Sequence, residues 1–102
     1  MQFQLVLQFP GQYIADFDAL IELEDALIIT LDDAHLVDGH DFGSEEMNIF
    51  ILTDDPRAAF EKAYAVVAPK LRSALRAAFR RLEAEEYEWL HPANAEREFR
   101  VT

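Results

Sequence analysis

The stretch DGHDFGSEEMNIFILTDDP, residues 38–56, decides how the rest of the chain is read. Its second half, MNIFILT at 47–53, is a run of strand formers that is apolar on both faces. Met47, Ile49 and Ile51 fall on one side, Phe50 and Leu52 on the other. Just upstream, AHLVDGHD at 34–41 reads as a shorter strand, and Phe42 to Glu46 as a tight loop around Gly43 and Ser44. The pair predicts a hairpin. Just downstream, Asp54 and Asp55 precede Pro56. An Asp cap followed by Pro at the first helical position is a strong helix start.

Working outward, QFQLVLQF at 2–9 alternates. Phe3, Leu5, Leu7 and Phe9 share one face; Gln2, Gln4, Val6 and Gln8 share the other. This predicts a half-buried strand ended by Pro10 and Gly11. In DFDALIELEDALIITL, Phe17, Leu20, Ile21, Leu27, Ile28 and Leu31 follow helical spacing. Asp18, Glu22 and Asp25 line the opposite face, and Asp16 or Asp18 serves as the cap. The helix is expected to end between Ala26 and Thr30. After Pro56, the stripe Phe60, Ala63, Tyr64 and Val67 predicts a second helix, with Pro69 as a break or kink. Leu71, Leu75, Ala78, Phe79 and Leu82 then suggest that it resumes, with Arg72, Arg76 and Arg80 as a basic stripe. EYEWL at 86–90 reads as a fourth strand with Tyr87 and Trp89 on one side. HPANA turns the chain, and REFRVT forms a last edge strand.

The order βαββαβ predicts an α+β fold in a single domain, 1–102: a ferredoxin-like split βαβ sandwich with a kinked or split second helix and a C-terminal tail strand. Both helices would cover one face of an antiparallel sheet. The other face, apolar through Phe50, Leu52 and Val6, would need the tail or a second subunit, so a homodimer is expected.

Composition narrows the function. Hydrophobic residues make up 51% of the 102, enough for a packed core. The chain has no cysteine, which excludes disulfides, thiol catalysis and thiolate metal sites. The net charge of −11 is uneven. Residues 1–56 hold 13 acids and no Lys or Arg; residues 57–102 hold 7 acids and all 9 bases. Nucleic acid, which needs a basic footprint, is not expected as a partner, nor is an anionic membrane. The alternating start reads as a strand, not a signal peptide, and the expected setting is the cytoplasm.

The residue types in 38–56 raise several chemistries. Calcium-loop spacing fails in both frames. With Gly39 at the sixth position the loop would begin at Ala34, and with Gly43 there, Phe42 and Ile49 fall on ligand positions. His35, His40, Asp38 and Asp41 include too few ligands on one strand face for a closed metal centre, and His91 is distant in sequence. Ser44 lacks a recognisable relay, and no helix start follows GHDFG to cradle a phosphate. No catalytic residue, metal or cofactor is therefore assigned. Asn48 is the least explained residue, a polar group in an apolar strand.

Gly43, Ser44, Glu45, Glu46, Met47, Asn48, Ile49, Phe50 and Ile51, with Thr53 to Pro56, resemble a GSGEMNIFI…TDDP-like stretch of short uncharacterised bacterial proteins. Glu45 stands where that pattern has a glycine. The resemblance implies no established activity. The expected function is a small, acidic, immunity-like interaction module that binds a basic protein partner through Asp38, Asp41, Glu45 and Glu46. The alternative is a ligand-binding or catalytic domain with a polar pocket containing His35, His40 and Asn48.

Overall fold

The alternation of QFQLVLQF makes the central strand of the molecule. The computed structural model describes residues 1–10, 17–31, 34–43, 45–95 and 97–101, with backbone alone for residues 17–20, 43 and 70. In chain order the elements are β1 (Phe3–Pro10), α1 (Phe17–Leu31), β2 (His35–Gly43), β3 (Glu46–Thr53), α2 (Pro56–Val66), the one-turn α3 (Pro69–Arg72), β4 (Arg76–Arg81) and β5 (Glu88–His91). The sheet has the order β2-β3-β1-β4-β5, and every neighbouring pair is antiparallel. Hence β1 and β2 run parallel with β3 between them, and β3 and β4 run parallel with β1 between them. The helical connections α1 and α2 span these two gaps.

The helix start at Asp55 forms as its sequence predicts. The Asp55 carboxylate accepts the Ala58 N–H at 3.1 Å, and Pro56 occupies the first turn. The expected caps of α1 do not bear on the structure in the same way: Asp16 and the Asp18 side chain lie outside the described residues, as do Gly11 and Ser44. Leu27 and Leu31 of α1, with Ala59 and Ala63 of α2, pack on Leu5, Leu7, Phe9, Met47, Ile49 and Ile51. Both helices therefore cover one face of the sheet. Ile28, expected on the buried stripe of α1, is instead 53% exposed. It sits about 100° round the helix from Leu27, on the side away from the core.

Two expectations about the C-terminal half are corrected. The second helix does not resume through Leu82; after α3 the chain becomes strand β4. Leu75, Ala77 and Phe79 face the helices, while Arg76, Ala78 and Arg80 face the other way. The local composition favours helix, but six paired positions with β1, from Phe3↔Arg81 to Gln8↔Arg76, override it. The arginine stripe dissolves with the helix. Arg72 stays on the helix side, where its Nε donates to the Val67 carbonyl at 3.1 Å and its guanidinium lies over the Tyr64 ring. Arg76 and Arg80 point from the opposite face. The four-stranded plan thus gains a strand, β4, beside β1, and the expected fourth strand, EYEWL, becomes β5 at the sheet edge.

The second correction concerns the tail. Residues 97–101 form no strand. They lie over the sheet face that carries no helix. Phe99, only 3% exposed, packs with Val6 and Ala78, flanked by Phe50, Tyr87, Trp89 and Val101. Its ring centroid is 5.0 Å from that of Tyr87 and 5.1 Å from that of Trp89. Trp89 Nε1 donates to the Arg97 carbonyl and Gln8 Nε2 to the Arg100 carbonyl, at 2.6 and 2.8 Å. No described helix is long and apolar enough to cross a membrane.

Candidate functional site: a polar row and an acidic side

The residues of 38–56 fall into two places. β2 pairs with β3 through a bulge: Val37 pairs with Ile51 and Gly39 with Phe50, so Asp38 is the extra residue. Gly39 has φ +154°, a backbone geometry that L side chains rarely adopt. The bulge resets the alternation. His35 and His40 both end up on the helix face, while Asp41 pairs with Asn48 on the opposite face.

The expected pocket of His35, His40 and Asn48 is therefore not assembled. His35 is buried, with Nδ1 2.6 Å from the Thr53 hydroxyl. That hydroxyl accepts the Asp55 N–H at 2.9 Å, so the pair ties the start of β2 to the cap of α2. His40 Nδ1 meets the Glu24 carboxylate at 2.9 and 3.0 Å and links β2 to α1. Both histidines serve contacts between elements. His91 packs against Phe60 and Tyr64, 5.9 and 5.5 Å between ring centroids. Among the described residues, no group of three or more His, Asp or Glu could hold a metal ion.

Of the four acids assigned to partner binding, Asp38, Asp41 and Glu45 are exposed. Glu45 sits in the two-residue hairpin connection with φ +79°. Glu46 is different. It is 7% exposed and turns to the second face of the sheet.

There it joins a row that sequence reasoning missed. Asp41, Asn48, Gln8 and Arg76 are cross-strand neighbours in register over β2, β3, β1 and β4. Asn48 is fully buried and Gln8 is 2% exposed. Gln8 Nε2 donates to Asn48 Oδ1 at 3.1 Å and to the Arg100 carbonyl. Both of its protons are thereby used. Asn48 Nδ2 and Arg76 Nε are buried without a hydrogen-bond partner among the described residues. Burial pushes the Arg76 guanidinium below its ordinary pKa. The Arg97 charge acts in the same direction and Glu46 opposes it. Beside the row lies a pocket of about 180 Å³, bounded by Gln8, Glu46 and Arg76 below and by Trp89, Arg97 and Phe99 around it.

Gln8 was legible only as the polar face of an alternating strand. Arg76 was hidden by the helical reading of 71–82, and Arg97 by the reading of the tail as an edge strand. The chain matches no family model, no curated protein and no solved structure.

Proposed function

We propose that the chain is a small interaction module that docks a basic protein partner on the side formed by α1 and β2. One observation carries this reading. Ile28, Ile29, Leu36 and Phe42 are 53, 81, 52 and 51% exposed, and all four lie on those two elements. The exposed acids Glu22, Asp25, Asp38 and Asp41 are on the same elements, with Glu45 at the hairpin. No Lys or Arg occurs before Arg57. Solubility alone accounts for the acids. It does not account for large apolar side chains left in water among them. A docking surface accounts for both: apolar groups supply contact area, and the charge speeds encounter with a basic partner. Glu46, being buried, is not part of this surface. The reading carries a cytoplasmic setting, in keeping with a chain that has no cysteine. It also takes β1 to β4 with α1 and α2 as a ferredoxin-like core to which β5 is added.

The test is affinity capture from host lysate with wild type and with Asp38→Lys/Asp41→Lys/Glu45→Lys, at low and high salt. The expected result is a defined basic protein held by wild type at low salt, and lost both at high salt and with the triple variant. Identical capture by the two proteins at low salt would remove this surface from consideration.

A further inference from the structure

We propose that β2 takes up an extended basic segment of the partner as a further strand of the sheet. This rests on the docking reading above and specifies how the partner is held. β2 is the last strand of its sheet: it pairs with β3 on one side and, among the described strands, with none on the other. An antiparallel strand with a single neighbour turns about half of its N–H and C=O groups outward, where they can template another strand. The bulge at Asp38 divides β2, and Gly39 to Gly43 then runs in unbroken register with β3. That is the stretch an added segment would extend.

The apolar side chains point to the same event. Leu36 is in register with Leu52 and Phe42 with Met47, so the two stand on opposite faces of the sheet, each about half exposed. Large apolar groups on both faces suit a strand flanked on both sides. Ile28 lies one turn along α1 from Glu24, whose carboxylate meets His40. Its exposed side chain is therefore on the β2 side of α1, over the face that carries Phe42. A strand outside β2 would cover Leu36 on one face and Phe42 and Ile28 on the other. Charged residues and a bulge also guard an edge against pairing. They leave these three apolar groups unexplained.

Charge selects the occupant. Asp38 and Asp41 are exposed on β2 and Glu45 just after it, with no Lys or Arg before Arg57. If β2 paired with β2 of a second copy, these acids would meet their own kind, and like charges across strands are destabilising. A basic segment brings the complementary charge. Asp41 faces the side without helices and Phe42 the helix side. The segment that fits therefore alternates Lys or Arg, set beside Asp41, with apolar residues set beside Phe42 and Ile28.

The probe is the acetylated and amidated peptide Lys-Val-Lys-Val-Lys-Val-Lys, titrated into the ¹⁵N-labelled full chain at low salt. Two control peptides keep its side chains and charge. One has every valine N-methylated and the other every lysine, so each lacks the N–H donors of one edge. The parent peptide should bind saturably and slow hydrogen exchange at β2 amides by at least about tenfold, with the amides of β5 unchanged. At least one N-methylated peptide should bind at least about tenfold more weakly than the parent. Asp38→Lys/Asp41→Lys/Glu45→Lys should lose the parent peptide. Strand addition is overturned if the parent peptide does not bind, if it binds the triple variant as it binds wild type, if no β2 amide gains protection, or if both N-methylated peptides bind like the parent. The last result, with binding still lost in the triple variant, removes the strand and leaves the docking side standing. The docking side itself stands or falls with the capture from lysate.

Discussion

Gln8 holds two parts of the molecule together with one amide group. Its Nε2 bridges Asn48 on β3 and the Arg100 carbonyl in the C-terminal segment. Gln8→Ala removes the donor from two acceptors, one of them on a fully buried side chain. The expected loss is about 1–3 kcal/mol, read as a lower urea midpoint at unchanged slope. A midpoint equal to wild type would show that other donors replace it. Gly39 tests a different term. A Cβ built there meets nothing within 4 Å, so Gly39→Ala carries no steric clash and isolates the cost of φ +154°. That cost is expected at about 1–3 kcal/mol. Serine at this position should behave like alanine, because the penalty lies in the backbone. Neither role could be read with certainty from the sequence. Gln8 is one of three alternating glutamines. Gly39 in AHLVDGHD signals a turn as readily as a bulge, and only the pairing of Val37 with Ile51 and of Gly39 with Phe50 shows which one it is.

The elements divide by how local their signals are. The Asp55–Pro56 start of α2, the alternation of β1 and the apolar run of β3 are specified within a few residues, and the structure has them where the sequence puts them. Strand β4 is specified by its partner. Leu75 and Phe79 share a face at a period of two, with Ala77, and equally at a helical period, with Ala78, and only the vacant edge of β1 chooses between them. The C-terminal segment is a similar case. REFRVT alternates like a strand, yet residues 97–101 are held by Phe99 and by bonds from side chains of Gln8 and Trp89. Phe99 is therefore the anchor of the segment. Phe99→Ala should cost about 3–5 kcal/mol, the usual range for a buried phenylalanine. It should also shift Trp89 emission to longer wavelength as the indole loses its edge-on neighbour. An unchanged emission maximum with a small stability loss would mean that the segment stays in place without its anchor.

For the whole molecule, the C-terminal segment bears on the expected homodimer. The face that carries no helix motivated a second subunit, and Phe99 already covers Val6 and Ala78 on it. Light scattering is accordingly expected to give the monomer mass of 11.7 kDa at micromolar concentration. A mass near twice that value would mean that the segment does not exclude a second subunit. The division of charge is the other property of the whole chain, and it was fully legible in the sequence. The sequence did not show that Ile28 and Ile29 stand exposed among the acids; helical spacing had placed Ile28 in the core. The most direct test of the docking account is the association kinetics between this chain and the basic protein it captures, followed as a function of salt. Wild type is compared with Asp38→Lys/Asp41→Lys/Glu45→Lys. The account predicts an on-rate at low salt at least about tenfold slower in the variant, a smaller change in off-rate, and convergence of the two proteins as salt screens the charges. Equal on-rates at low salt would contradict it.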